Sequence, residues 1–224
     1  METKNVMIVG VGGQGTLLAS KLLGNVLIAQ GYDVKLSEVH GMSQRGGSVV
    51  TYVKYGEKVY SPIVDQGEAD YILSFEILES ARWISYLKQG GQLVTNTQKT
   101  WPMPVITGAM EYPEGIVEKL SAMADVQAVD ALKLAEQAGS PKTVNVVLIG
   151  VLSRQMDIPE EAGIKAIEET VPPKFLELNK KAKAEGKKEA SFRPVHSYSS
   201  VNEAIAAYAD GAIGLHAPIL VRYG

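Results

Sequence analysis

Cysteine is absent from this 224-residue sequence, and histidine occurs only three times. The absence of cysteine excludes disulfides, thiolate zinc sites, cysteine nucleophiles and cysteine-ligated iron–sulfur clusters within these residues. The three histidines are His40, His196 and His216, and no two of them have the spacing of a metal-ligand motif. We therefore expect no metal site in this chain.

The sequence also lacks an excess of positive charge and a long apolar run. Its formal net charge is −3, which argues against a general nucleic-acid-binding surface. No apolar run reaches the roughly 20 residues that a membrane-spanning helix needs. The segment with Glu2 and Lys4 leads into a short apolar strand, which is not the pattern of a signal peptide. We expect a cytoplasmic protein with no nucleic-acid and no membrane partner.

A glycine loop stands between a predicted strand and a predicted helix. Residues 5–10 form an apolar run typical of a buried parallel strand, and residues 14–30 have the periodicity of a helix that Gly31 ends. The loop at 10–15 matches G-x-G-x-x-G. Glycines allow a phosphate to approach the backbone, and the free amides at the helix start can donate to it. We predict a phosphate site with these residues: Gly10, Gly12, Gly13, Gln14, Gly15 and Thr16. A tight turn without a ligand is the alternative.

The remaining pattern predicts a three-layer α/β/α domain with a mixed, mostly parallel sheet and a Rossmann-like start. Alternating residues at 48–60 predict a hairpin. Further strands are predicted at 32–38, 70–74, 93–96 and 125–129. Helices are predicted near 77–88, 115–123, 130–138, 143–156, 160–170 and 173–187.

Residues 1–224 are predicted to form a single domain, with a core of about 5–157 and a helical C-terminal region of about 158–224. The stretch at 143–156 is apolar nearly all round and predicts a buried helix. The lysine-rich helix at 173–187 is expected to present a solvated face. The end of the chain, 199–224, is expected to form a small helix and an apolar tail.

An acidic residue near the end of the second strand is typical of dinucleotide-binding folds, where it binds a ribose. Glu38 has that position. An NAD(P)-binding oxidoreductase is therefore one alternative. However, Glu38 leads directly into a loop rich in polar residues and glycine, which a nicotinamide fold does not require.

That loop carries the most specific pattern in the chain. Residues 38–47 read Glu-Val-His-Gly-Met-Ser-Gln-Arg-Gly-Gly, a mixture that no hydrophobic core needs. Together with the glycine loop, this run resembles the gamma-domain family of 2-oxoacid:ferredoxin oxidoreductases, and within it the small subunits of the indolepyruvate type. Further matching residues are Ala69, Asp70, Ser74, Phe75, Glu76, Glu79, Arg82, Asn145, Gly150, Lys174, Phe175, Asn179 and Ala182. The resemblance covers residues 5 to about 186.

The resemblance implies a subunit of an enzyme that decarboxylates a 2-oxoacid, such as an aryl pyruvate, and forms an acyl-CoA. A large (alpha) subunit would carry thiamine diphosphate, magnesium and iron–sulfur clusters, and would pass electrons to ferredoxin. This sequence has neither cysteines nor a thiamine motif, so the isolated chain is expected to be inactive. Coenzyme A is the cofactor that the resemblance associates with a chain of this kind.

Candidate roles follow from side-chain chemistry, and each has a structural alternative. His40 and Glu76 are the candidate catalytic residues; the alternatives are a loop-ordering hydrogen bond for His40 and a helix cap for Glu76. Arg45 suits a phosphate, or else a structural salt bridge. Asn145 is either a ligand contact or a buried hydrogen-bonding residue. Ser43 and Gln44 complete the predicted cofactor-binding set.

The apolar stretch at 143–152 and the apolar tail at 215–223 suggest an interface. It would serve either self-association of the free chain into a homo-oligomer or contact with the large subunit. A non-catalytic assembly module, whose glycine loop binds nothing, is a further alternative for the whole chain.

Overall fold

The computed structural model describes residues 2–40, 47–156, 158–190, 196–198 and 219–221, with only the backbone for His40 and for the last two ranges. The strands are β1 (Lys4–Val11), β2 (Asp33–His40), β3 (Ser48–Gly56), β4 (Ala69–Ser74), β5 (Leu87–Asn96), β6 (Asp125–Val129), β7 (His196–Tyr198) and β8 (Ile219–Val221). The helices are α1 (Thr16–Ala29), α2 (Ile77–Trp83), α3 (Met103–Ile106), α4 (Ile116–Ser121), α5 (Ala131–Ala138), α6 (Val144–Gln155), α7 (Glu160–Thr170) and α8 (Leu176–Glu189). Short 3-10 turns occupy Ile84–Tyr86, Pro141–Thr143 and Pro173–Phe175.

Six strands form one mixed sheet in the order β2-β3-β1-β4-β5-β6. Strands β1, β4, β5 and β6 pair in parallel, whereas β3 is antiparallel to both β1 and β2. The predicted mixed, mostly parallel sheet is confirmed. The predicted hairpin at 48–60 is wrong in its second arm, because β3 pairs with β2 and β1 while residues 57–68 form a loop. The amide of Val59 donates to Asp33 Oδ2, and this bond holds the loop at the first residue of β2.

Helices cover both faces of the sheet, so the predicted three-layer arrangement is confirmed. Strand β1 alternates between the faces: Val6 and Ile8 belong to one hydrophobic cluster, and Met7 and Val9 belong to the other. Side chains of α1, α5, α6, α7 and α8 fill the first cluster. Side chains of α2 and α4 pack in the second. Because α7 and α8 share the first cluster with the sheet, the C-terminal helices pack directly on the predicted core.

Helix α6 is buried from Asn145 to Ser153, as its apolar sequence predicts, because α8 covers it at backbone contact distance. A Cβ on Gly150 would lie 2.2 Å from the carbonyl oxygen of Lys183, and one on Gly186 would lie 2.0 Å from that of Val147. The interpretation of 143–152 as an intermolecular interface is therefore wrong, since the chain itself buries this stretch. The other predicted interface, 215–223, lies outside the described side chains.

The lysine-rich helix α8 does not present a wholly solvated face. Lys183 is only 2% exposed, and its Nζ donates to Glu160 Oε1 at 3.0 Å. Lys187 Nζ donates to the other oxygen of Glu160, which lies in the first turn of α7. The prediction for this helix was wrong at Lys183, because a long apolar stem can be buried while its ammonium group reaches a carboxylate.

Two further boundaries differ from the sequence prediction. Helix α2 ends at Trp83, and β5 begins at Leu87, so Gly90 and Gly91 lie inside a strand and do not cap a helix. A Cβ on Gly91 would lie 3.0 Å from the carbonyl oxygens of Ala69 and Asp70, so the close strand β4 favours glycine there. At the end of the chain, β8 pairs in parallel with β7, where we expected only an apolar tail.

Over the described residues, we find no helix with the combined length and apolar character needed to traverse a bilayer.

Candidate functional site

A wide concavity lies beyond the carboxyl ends of β1, β4 and β5. Its volume is about 770 Å³, and its wall includes the glycine loop after β1, Phe75 after β4, and Gln98 and Thr100 after β5. The first turn of α5 and the segment from Pro141 to Asn145 close the opposite side. Ligands of open α/β sheets bind at this end of the strands, because the adjoining loops and helix starts project there.

The glycine loop exposes the N-terminus of α1 to this cavity. Gly15 precedes the helix with φ 87°, and Gly13 has φ 97°, both in the left-handed region that favours glycine. A Cβ on Gly13 would meet no atom within 4 Å, so the backbone there is open to a ligand. Helix α1 has no side-chain cap and no acidic residue in its first turn. Its first amides therefore remain available to an anion, and the helix dipole favours one.

The side chain of Gln14 forms hydrogen bonds within the chain. Its Oε1 accepts a hydrogen bond from the amide of Val11 at 2.8 Å, and its Nε2 donates to the carbonyl of Phe75 at 3.4 Å. The amide of Gly12 donates to the carbonyl of Gly47 at 2.9 Å. Gln14 thus stabilises the loop, and the donors facing a ligand are backbone amides nearer the helix.

Asn145 lies beside the glycine loop, as the sequence prediction of a shared site requires. The side chain is buried, and its Oδ1 accepts from the amide of Val146 at 2.9 Å. Its Nδ2 would lie 3.0 Å from a Cβ on Gly15. One end of the amide is thus used in the fold, and the residue also lines the cavity, so its contact with a ligand stays a prediction.

Lys142, which was not among the predicted site residues, lines the same cavity. It belongs to the 3-10 turn before α6, where Ser140 Oγ accepts its backbone amide at 3.3 Å. The signal that would have revealed the lysine was its place three residues before the candidate Asn145.

Glu76 serves as the cap of α2. The side chain is 1% exposed, and its Oε2 accepts from the amide of Glu79 at 2.9 Å. Its Oε1 accepts from the amide of Thr100 at 2.9 Å and from the hydroxyl of Tyr112 at 2.6 Å. Burial, reinforced by this bond to Glu76, raises the pKa of Tyr112 above its usual range. Of the two alternatives for Glu76, the structure favours the helix cap, so we leave it out of the proposed catalytic set.

The polar loop after β2 is described only at its two ends. The backbone of His40 pairs with Val49, and Gly47 accepts the bond from Gly12. Ser43, Gln44 and Arg45 lie outside the described residues, as does the side chain of His40. Their predicted roles stay predictions.

A buried carboxylate, Glu79, holds the far end of that loop. It accepts from Ser48 Oγ at 2.5 Å, from Arg82 Nη1 at 2.6 Å and from Trp83 Nε1 at 3.3 Å. Ser48 is the first residue of β3, directly after Gly47. Glu79 therefore ties α2 to the point where the polar loop meets the glycine loop, a positioning role that the sequence did not indicate.

A second concavity of about 420 Å³ lies on the other side of the glycine loop. Thr16 and Leu17 line it together with Glu38. Strand β3 separates β1 from β2, so Glu38 lies two strand spacings from the glycine loop, roughly 10 Å. A dinucleotide fold has these two strands as direct neighbours, so the inserted strand weighs against the NAD(P) alternative.

Metal-ligating side chains do not cluster in the described part of the chain. No group of three or more His, Cys, Asp or Glu side chains there could hold a metal ion. The larger cavity instead combines backbone amides, an amide side chain and a lysine. That donor set suits a phosphate-bearing ligand.

Fold and site together define an α/β protein with a cavity lined by hydrogen-bond donors at the carboxyl ends of its parallel strands. Residues 5–189 match the model of the family described as pyruvate ferredoxin/flavodoxin oxidoreductase, and the chain belongs to this family.

Two relatives and one solved structure are similar over most of the chain. It is 47% identical over 189 residues to the indolepyruvate oxidoreductase subunit IorB of Thermococcus kodakarensis, covering 81% of this chain and 93% of that one. It is 44% identical over 190 residues to the protein of the same name from Pyrococcus horikoshii, with the same coverage of 81% and 93%. The 2-oxoglutarate:ferredoxin oxidoreductase of Magnetococcus marinus, solved with 2-oxoglutarate, coenzyme A and succinyl-CoA bound, has a TM-score of 0.66 at 14% identity. That match covers 99% of this chain and 43% of the other, and it indicates a shared fold.

Proposed function

We propose that this chain is the small subunit of an indolepyruvate-type 2-oxoacid:ferredoxin oxidoreductase. The complex would oxidatively decarboxylate an aryl pyruvate to the acyl-CoA and reduce ferredoxin. The observation that carries this proposal is the similarity to indolepyruvate oxidoreductase subunits over nearly their whole length.

The proposed division of labour follows from what the chain lacks. With no cysteine it has no thiolate for an iron–sulfur cluster, and it has no thiamine motif. A large subunit would therefore supply thiamine diphosphate, magnesium and the clusters. The thiamine cofactor supplies the carbanion chemistry of decarboxylation when bound, and the present chain supplies binding and positioning.

The part that we propose for this chain is to bind coenzyme A. Its pyrophosphate requires several donors at close range, and the uncapped start of α1 with Gly13 and Gly15 supports this use. Described residues that line the larger cavity include no carboxylate that would repel phosphate. Arg45 is proposed to add a charged donor, on the sequence prediction alone. His40 stays a proposed donor near the reaction centre on the same basis.

Reconstitution with a large subunit tests the function. The complex should reduce ferredoxin with indolepyruvate in preference to pyruvate, and the isolated chain should show no 2-oxoacid-dependent reduction of a dye. Turnover by the isolated chain would overturn the subunit assignment. Equal use of pyruvate would overturn the substrate assignment and leave the subunit assignment standing.

Arg45→Ala in the complex tests the role in coenzyme A binding. A charge-assisted hydrogen bond contributes about 1.5–3 kcal/mol, so the coenzyme A requirement should rise roughly ten- to a hundredfold. Decarboxylation of the 2-oxoacid should be largely retained. If decarboxylation collapses while the coenzyme A dependence stays the same, Arg45 serves the thiamine side or the subunit interface.

A further inference from the structure

The N-termini of two helices lie at the larger cavity. Helix α1 begins after the glycine loop, and helix α6 begins at Val144, which also lines the wall. Helix α1 has no side-chain cap, whereas α6 continues from the 3-10 turn that Ser140 caps, and neither helix has an acidic residue in its first turn. Because both dipoles direct their positive ends at one space without a carboxylate among its described lining residues, the field there favours more than one negative group.

Asn145 supplies a donor that the fold leaves unused. It is 6% exposed, and among the described residues no acceptor pairs with its Nδ2. This nitrogen is not fully enclosed by the protein, so it can donate to a ligand oxygen or to water in the cavity. The same nitrogen lies against Gly15, at the start of α1. Any anion bound by Nδ2 is therefore within reach of the α1 amides as well.

Lys142 supplies a charge at a different place in the same wall. It is exposed, and it makes no ion pair with any residue that the structure describes. The bonds of Ser140 to the backbone of Lys142 and to Thr143 fix the turn that carries it. It lies three residues before the buried Asn145. The cavity thus has an inner site for one phosphate group and an outer cation for another.

We infer that Asn145 and Lys142 bind two separate phosphate groups of coenzyme A, which rests on the function proposed above. Asn145 shares the pyrophosphate with the amides of α1, whereas Lys142 pairs with the 3′-phosphate of the ribose. Lys142 is thereby the residue that distinguishes coenzyme A from its analogue without the 3′-phosphate.

Calorimetric titration of the reconstituted complex with coenzyme A and with dephospho-coenzyme A tests the assignment of Lys142. Lys142→Gln should raise the Kd for coenzyme A roughly tenfold and leave the Kd for dephospho-coenzyme A nearly unchanged. Lys133→Gln is the matched control, since Lys133 is an exposed lysine on α5 outside the cavity wall. It should change neither Kd. Equal weakening for both ligands, or no weakening for either, would overturn the assignment of Lys142.

Asn145→Asp tests the inner site without removing volume. A carboxylate at this position is repelled by a phosphate, so the Kd values for both ligands should rise at least tenfold. The same carboxylate faces two helix N-termini, so the melting temperature should be unchanged or higher. Unchanged affinity in a folded variant would overturn the role of Asn145.

The function and the inference fail in different ways. Coenzyme A binding that Arg45→Ala or Gly13→Val weakens, but that Lys142→Gln and Asn145→Asp leave intact, overturns this inference alone. If the complex needs no coenzyme A, or if no variant of this chain alters its affinity, the proposed binding role itself is wrong.

Discussion

Helices α1 and α2 both begin just beyond the carboxyl end of a parallel strand, but their first turns differ. Helix α2 has Glu76, whose carboxylate caps the first turn and also binds Thr100 and Tyr112. Helix α1 has Gly15 in a left-handed conformation and no cap. The polar groups at the start of α2 are satisfied within the chain, whereas those at the start of α1 require another acceptor.

The comparison shows why a polar residue at a strand end is ambiguous from sequence. Glu76 and Asn145 are both buried, and both begin helices that adjoin the same region. Every carboxylate oxygen of Glu76 has a donor from the chain, while the described structure gives Asn145 Nδ2 no acceptor. The number of hydrogen bonds still open, and not the residue type, separates a structural group from a candidate ligand contact.

The largest loss of stability should come from removing the side chain that caps α2. Glu76→Ala removes the cap and leaves the amide of Thr100 and the hydroxyl of Tyr112 without an acceptor. We expect a loss of about 3–5 kcal/mol in the free energy of unfolding. Urea unfolding followed by tryptophan fluorescence measures it. Glu76→Gln keeps one acceptor oxygen and should lose less; if it abolishes turnover of the complex without a loss of stability, Glu76 is catalytic after all.

Tyr112→Phe removes one of the three donors to Glu76. The lost hydrogen bond to a carboxylate should cost about 1.5–3 kcal/mol at pH 7. The pKa of Tyr112 is raised by burial and by Glu76, so the folded state keeps the proton above pH 10 while the unfolded state releases it. Stability is therefore lost as the pH rises above about 10.

The phenylalanine variant should show a smaller decrease in stability above that pH than the parent protein. Burial also raises the pKa of Tyr55, so part of the decrease should remain. Unfolding free energies at several pH values between 9 and 11 measure the difference. Identical pH dependence in the two proteins would mean that Tyr112 ionises equally in the folded and unfolded states.

Sequence patterns predicted the capped and the uncapped helix, but not how the strands around them pair. The strand, glycine loop and helix at 5–30 were found because each depends on local periodicity. The insertion of β3 between β1 and β2 was not found, since alternation identifies a strand without naming its neighbours. That insertion separates the strand of Glu38 from the strand before the glycine loop, which weighs against the NAD(P)-binding alternative.

The candidate site was predicted in the same uneven way. The proximity of Asn145 to Gly15 follows from family resemblance, and the structure brings the two together. Lys142 was missed, and Glu79 was named only as a family match without a role, because a single lysine or glutamate has no periodic signature. The buried Lys183 was misjudged for a related reason: the carboxylate that pairs with it, Glu160, is 23 residues away on another helix.

Gly15→Ala tests how tightly the uncapped end is built. Its φ of 87° disfavours any residue with a Cβ, and the new atom would lie 3.0 Å from Asn145 Nδ2. We expect a loss of about 1–2 kcal/mol in the free energy of unfolding. Gly13→Ala is the matched control, because it has the same kind of backbone strain and no atom within 4 Å of the new Cβ. In an Asn145→Ala background the two glycine-to-alanine variants should become similarly stable. If their free energies of unfolding still differ, the backbone and not the contact with Asn145 causes the difference.

The smallest change should be a gain in stability from an acidic residue placed in the first turn of α1, because α2 already has one there and α1 does not. Leu17 is in the first turn of α1 and is 47% exposed, so a longer polar side chain fits there. Leu17→Glu should raise the free energy of unfolding above that of Leu17→Gln by about 0.3–1 kcal/mol, because the carboxylate interacts with the helix dipole. The same carboxylate competes with a bound phosphate, so coenzyme A affinity in the complex should fall about two- to fivefold relative to the glutamine variant. Both differences should shrink at high salt, since the glutamine and glutamate side chains differ only in charge. Equal coenzyme A affinities at low salt, with the stability difference present, would mean that the phosphates bind beyond the reach of residue 17, which lines the second concavity.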